Sequence, residues 1–258
     1  MKTALAICAA VSAIGAGTLS ASAQLATDTA ILNADSLVAI SHKGYDNSTV
    51  VTQSGEDLSA TIDILGSQNS APDGSANTIT QSGSDSTAEV TIVGDFNEFS
   101  ISQSGANGPA QNDATIEIYG TGNRAQISQL NDLSTPYANS AYILQAGSLN
   151  SASISQTVSD PGGGAAYGTS NQASIFQNGV ENFAEVTQNG TGNEVLIDQN
   201  GNNNSGAITQ MGAGSSLKLT QLGDNYSYVM SQTGCLVSSC PGIEVIQGGA
   251  GTPPPVTN

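Results

Sequence analysis

The stretch Gln177-Asn178-Gly179-Val180-Glu181-Asn182-Phe183-Ala184-Glu185-Val186-Thr187-Gln188 decides the fold. It sets Gly two residues after a Gln, Asn five after, Ala seven after, and the next Gln eleven after. The same step of eleven links Gln177, Gln188, Gln199, Gln210, Gln221 and Gln232, and it links Gln145 to Gln156. Gln53, Gln81, Gln103, Gln129 and Gln247 head further copies, while Ile64, Ile92, Ile118 and His42 stand in the Gln position before Gly66, Gly94, Gly120 and Gly44. Counting the Gln position as zero gives 17 units, and position −2 is aliphatic or Met in each, from Ile40 and Val51 to Met230 and Val245. Position −4 is usually small, as in Ala60, Ala88, Ala114 and Ala152, and position +5 is often Asn, as in Asn150, Asn182, Asn193 and Asn204. Repeats are sought first because a fixed period dictates the architecture.

Positions −4, −2 and 0 follow a period of two, which places them on one face of a β-strand. Positions −3 and −1 face the other way and are mixed, for example Thr91, Glu117, Ser155, Asp198 and Lys218. Gly at +2 suits a turn that needs positive φ. Each unit is then one strand and one turn of 11 residues, and one strand cannot bury its own face. Two units make a coil of about 22 residues, and stacked coils make an all-β, parallel two-sheet β-solenoid of cross-β, amyloid-like character. Its interior holds Ala, an aliphatic column and Gln. Stacked Gln and Asn side chains can bond to identical neighbours above and below, which offsets the cost of burying amides. On this reading a narrow interior explains the near absence of Phe and Trp.

The spacing exceeds eleven at five places, between positions 64 and 81, 103 and 118, 129 and 145, 156 and 177, and 232 and 247. Each excess is rich in Gly, Pro, Ser or Asn, as in Asp160-Pro161-Gly162-Gly163-Gly164, and reads as a corner insertion. Asn112, Asn139 and Asn171 restore the register after three of them. The solenoid is predicted over 38–249, with a 24–37 segment before it and a flexible tail at 250–258.

Residues 1–23 read as a secretory signal peptide: Lys2 leads an apolar run from Ala4 to Leu19, and Ala21-Ser22-Ala23 forms the cleavage signal. A lipobox reading of Leu5-Ala6-Ile7-Cys8 places the Cys too early and puts bulky Ile7 where a small residue is needed. No later segment is apolar enough for an integral membrane protein. Removing Cys8 leaves Cys235 and Cys240, which in an oxidising compartment are expected to form a disulfide clipping one enlarged corner.

The 258 residues carry 4 Lys+Arg against 21 Asp+Glu, a net charge of −17. Such a chain does not hold a phosphate backbone by charge, so nucleic acid is excluded as a partner. Gly 30, Ser 34, Asn 22 and Gln 18 with 4% aromatics would suit disorder, were the residues not in register.

The sequence resembles the curlin family, the subunits of bacterial curli amyloid fibres, whose motif is Q-x-G-x-x-N-x-A-x-x-x-Q. Gln145, Gly147, Asn150, Ala152 and Gln156 match it, as do Gln177, Gly179, Asn182, Ala184 and Gln188; Gln188, Gly190, Asn193 and Gln199 match with Val195 in place of Ala. The resemblance implies export across the outer membrane and self-assembly into extracellular fibres for adhesion, cell aggregation and biofilm matrix. It implies an export channel, a chaperone and a nucleator subunit as partners, with the chain itself as the main partner. The 24–37 segment sits where that family keeps its export-targeting segment. Seventeen units exceed the about ten of the familiar major subunit, and Ile or His at position 0 departs from the motif in the first half. The nucleating minor subunit of the family tends to end in a basic repeat; here the last units hold only Lys218, which favours a major, fibre-forming subunit.

Two other classes compete. A soluble solenoid binding a ligand or an ice surface needs a regular outward Thr array, and the outward positions taken together are mixed. An enzyme built on a β-helix needs acids clustered with bases, and the acids here are scattered. No catalytic residue, metal ligand or cofactor is therefore assigned, and His42 is read as filling the Gln slot of the first coil.

Overall fold

The computed structural model describes residues 27–31, 36–70, 77–105, 111–131, 138–158, 170–233 and 242–248. The expected signal peptide at 1–23, the expected Cys235–Cys240 disulfide and the 250–258 tail lie outside the described residues. Alternating inward apolar and outward polar residues dictate strands, and the described residues form 18 of them with no helix.

One sheet stacks β1 (Thr27–Ile31), β3 (Ser48–Glu56), β5 (Asn77–Ser84), β7 (Glu98–Gly105), β9 (Arg124–Asn131), β11 (Ser151–Val158), β13 (Phe183–Thr191), β15 (Ser205–Ala213) and β17 (Ser227–Thr233), in that order. The other stacks β2 (Leu37–Lys43), β4 (Ser59–Leu65), β6 (Thr87–Val93), β8 (Asp113–Thr121), β10 (Asn139–Ser148), β12 (Asn171–Val180), β14 (Glu194–Asn200), β16 (Ser216–Leu222) and β18 (Ile243–Gly248). The chain alternates between this odd sheet and this even sheet at every corner, and all pairings are parallel. The result is a two-sheet β-solenoid.

Register follows the repeat. Gln188 lies beside Gln210, 22 residues on. Across the insertions the same positions still meet: Gln145 lies beside Gln177, 32 residues on. A one-residue slip would turn every buried side chain outward, so the hydrophobic pattern holds the register.

The 17 repeat units are the strands β2 to β18, and the described residues add one strand before them: β1 forms within the 24–37 segment and pairs with β3, Ala30 against Val51. β1 has Ala30 where other units carry an aliphatic, and no Gln or Gly marks it, so the repeat does not reveal it. With β1, both sheets have nine strands.

The core is the aliphatic column at −2, with Ile62, Val90, Ile116, Ile143, Ile175 and Ile197 in the even sheet facing Ile79, Ile101, Ile127, Ile154 and Val186 in the odd, each at most 1% exposed. Burying each such side chain contributes about 1.5–3 kcal/mol. Ala at −4 lets the sheets approach. The interior is wider at one point than its composition suggests, since Phe99 occupies position −4 of β7 and is 1% exposed. Its neighbour in the stack is Ala125, whose small side chain leaves space for the ring.

Each corner needs two unusual residues. Gly179 at +2 has φ +129°, and a Cβ there would collide with the carbonyl oxygen of Gly201 in the next coil. Position +4 is left-handed at corner after corner, and it is Asp57, Asp85, Leu149, Glu181 or Asn203 as readily as Gly. The side chains of Asp and Asn tolerate that conformation best.

Candidate functional site

The candidate functional site is the set of amide columns and the two ends at which they stop. In the odd sheet the Gln column is unbroken. Gln53 Nε2 donates to Gln81 Oε1 at 2.7 Å, and the same bond joins Gln81 to Gln103, Gln103 to Gln129, Gln129 to Gln156, Gln156 to Gln188, Gln188 to Gln210, and Gln210 to Gln232. In the even sheet His42, Ile64, Ile92 and Ile118 fill the first four places. Gln145 then donates to Gln177 at 2.9 Å, Gln177 to Gln199, Gln199 to Gln221, and Gln221 to Gln247. His42 Nε2 lies 3.2 Å from Thr49 Oγ1 in the facing strand.

The second Nε2 hydrogen has a fixed destination that the repeat alone does not show. It goes to the backbone carbonyl at position −5 of the preceding unit, in the facing sheet. Gln103 reaches Thr87 O, Gln156 reaches Ser140 O and Gln199 reaches Phe183 O, at 2.8–2.9 Å. Each such Gln therefore ties its sheet to the other as well as to its column.

Donation within the columns runs one way, from lower to higher residue number, so the first member of each run lacks a donor. Gln53 Oε1 and Gln145 Oε1 are both buried without a hydrogen-bond partner. For Gln145 the cause is Ile118, its neighbour below, which carries no N–H on its side chain.

The Asn residues occupy two corners, not one. Asn47, Asn69, Asn97, Asn123, Asn150, Asn182 and Asn204 line one corner. Asn112, Asn139, Asn171 and Asn193 line the other, so Asn193 belongs to a different column from Asn150, Asn182 and Asn204. These columns donate in the opposite direction: Asn182 Nδ2 donates back to Asn150 Oδ1 at 3.0 Å and forward to Gly201 O at 2.8 Å. Both amide hydrogens are used, and the left-handed turn residue beside them is held in place.

The ends differ from the middle. β2, β17 and β18 have no fully buried position, whereas β11 buries every second residue. Val38, Ile40, Tyr228, Met230, Ile243 and Val245 pack on the core from one side only. Among the described residues, β1, β2, β17 and β18 each have one strand neighbour instead of two, so one edge of backbone N–H and C=O groups is open.

The outer face of the even sheet holds a small polar cluster. Tyr119 and Tyr142 both donate to Glu117, each at 3.1 Å, and the Tyr142 ring lies 5.4 Å from that of Phe176. Partial burial and the Glu117 carboxylate push the Tyr142 phenol up to about 12. Among the described residues no three His, Cys, Asp or Glu side chains group to hold a metal ion, and no helix is long and apolar enough to cross a membrane.

A family model of the curlin associated repeat matches residues 168–199 and 190–223. Over these residues the chain carries curlin associated repeats. The matched curlin repeats span β12 to β16, where both Gln columns are continuous, and they leave out the Ile64, Ile92 and Ile118 units. No curated protein matches the chain.

Proposed function

We propose that the protein is a secreted, non-enzymatic structural subunit that polymerises end to end into curli-like extracellular fibres serving adhesion, cell aggregation and biofilm matrix. The observation that carries this reading is the pair of open ends. Among the described residues both sheets count nine strands, so the two ends are flush, and a second copy can continue both stacks at once. Open strand edges recruit further strands by β-augmentation. The amide columns give the ends polarity. Gln232 and Gln247 present donors at one end, and Gln53 Oε1 is an unpartnered acceptor near the other. Head-to-tail stacking joins unlike ends and generates an open filament. The curlin associated repeat supports the same reading.

The test is to incubate the purified chain lacking residues 1–23 and follow thioflavin fluorescence and electron micrographs. Unbranched fibres that seed fresh protein are expected. A chain that stays monomeric for days contradicts the proposal and favours a soluble solenoid. Dependence on a second curlin-repeat protein for any growth would instead mark this chain as one that needs a nucleator.

A further inference from the structure

The two outer faces of the solenoid are chemically different. On the odd sheet, position −1 carries a hydroxyl in all eight strands from β3 to β17, beginning Thr52, Thr80 and Ser102 and ending Thr209 and Ser231. The column at +1 is mostly Ser and Thr but also holds exposed Leu130 and Met211, and the column at −3 is mixed, with Val50, Gln126 and Val229. Thr78 Oγ1 lies 3.1 Å from Ser100 Oγ, and Ser82 Oγ donates to Ser104 Oγ at 3.1 Å. Charge is nearly absent. Glu98 is paired with Arg124 at 3.4 Å, which leaves Glu56 and Glu185 as the uncompensated charges among the described outward strand positions of this sheet. The even sheet instead turns Asp63, Glu89, Glu117 and Asp198 outward, beside the bulky Tyr142 and Phe176, with Glu244 paired to Lys218 at 2.9 Å.

We infer that the outer face of the odd sheet is a lateral docking surface for a second copy of this chain. Resting on the end-to-end assembly proposed above, it pairs one filament with another side by side. Charge selects the face. Copies carrying −17 repel one another, and a juxtaposed pair of acidic faces costs several kcal/mol. The hydroxyl face meets its twin with almost no like-charge contact. The small side chains of the −1 column let two such sheets approach and interdigitate, as in a steric zipper, and the exposed Leu130, Met211 and Val229 add apolar contacts. Ser and Thr hydroxyls rotate to donate or accept, so they are satisfied in either register. Eight strands about 4.8 Å apart, each with three outward residues, offer about 600 Å² per copy, at the lower limit for a specific pair. Along a filament the contact repeats with every subunit, and the binding multiplies.

The test compares fibres of the mature wild-type chain with two variants of equal charge. The odd-face variant is S102E/S128E/S155E, and the even-face control is T61E/T91E/T115E. Filament width by cryo-electron microscopy is the readout. Wild type and control are expected to pair, with paired filaments about tenfold rarer in the odd-face variant. A second variant, S102K/S128K/S155K, is expected to remain single alone and to pair when mixed with the Glu variant. Odd-face variants that pair like wild type overturn the inference, as does a control that loses pairing equally. So do wild-type filaments that stay single while the odd face binds ice or crystalline polysaccharide. In each of these cases the filaments themselves persist, so end-to-end assembly survives; a wild type with no filaments overturns both.

Discussion

At the residue scale, position fixes what each side chain does. Gly179 and Gly201 stack so closely that a methyl group has no space, and φ of +129° adds strain for any L-residue. Gly179→Ala should destabilise the solenoid by about 2 kcal/mol or more, read as a lower urea midpoint. Gln188 is engaged on both sides and across to Gln172 O. Gln188→Leu strands the Gln156 donor and the Gln210 acceptor, at a cost of about 1–3 kcal/mol for each. Gln232→Leu strands only the Gln210 donor, so it should cost about half as much by the same reckoning. Its larger effect is expected on fibre elongation, because Gln232 is the terminal donor of its column. Equal elongation rates for Gln232→Leu and wild type would show that the column does not continue between subunits.

At the element scale, the even column changes from Ile to Gln between β8 and β10, and that boundary leaves one buried acceptor on Gln145. Ile118→Gln supplies the missing donor, yet its own Oε1 then faces Ile92. The orphan moves down one coil, so the stability change should stay within about 1 kcal/mol despite a polar substitution in the core. A loss of several kcal/mol in denaturation would mean that the column tolerates no amide there. β1 is the corresponding element at the end of the odd sheet. It pairs with β3 but leaves Gln53 Oε1 without a donor. Deleting residues 27–31 leaves the odd sheet one strand shorter than the even one, so the ends are no longer flush and the lag of fibre formation should lengthen; an unchanged or shorter lag would show that β1 is not part of the growing end. The sequence reading finds 17 of the 18 strands and their pairing, because Gln, Gly and the −2 aliphatic repeat in register. It misses β1, which has none of these marks. The carbonyl at −5 that takes the second Gln hydrogen is not legible in the repeat, since that contact joins different sheets and only coil geometry brings it near. The separation of Asn193 from Asn182 is of the same kind: one-dimensional spacing is equal at both corners, and the alternation of sheets tells them apart.

At the scale of the whole molecule, charge and stacking oppose each other. A net charge of −17 keeps copies apart, and protonating carboxylates as pH falls toward the isoelectric point near 4.1 reduces that repulsion. Fibre formation should accelerate between pH 7 and 5, and added salt at pH 7 should act in the same direction by screening. Rates that fall on acidification would exclude charge repulsion as the barrier. The alkaline limb has a separate origin. Tyr142 binds its proton more tightly when folded, with its pKa raised from 10.0 to about 12. Its contribution to stability is complete below pH 10 and is lost as pH rises toward 12. Tyr142→Phe should flatten that part of the stability profile. The central claim is that flush open ends, with polar amide columns, continue one solenoid into the next. X-ray diffraction from aligned fibres of the mature chain measures this most directly. The account predicts a meridional reflection at about 4.7–4.8 Å, strands perpendicular to the fibre axis. Fibres with that reflection off the meridian, or a chain that yields none, would contradict it.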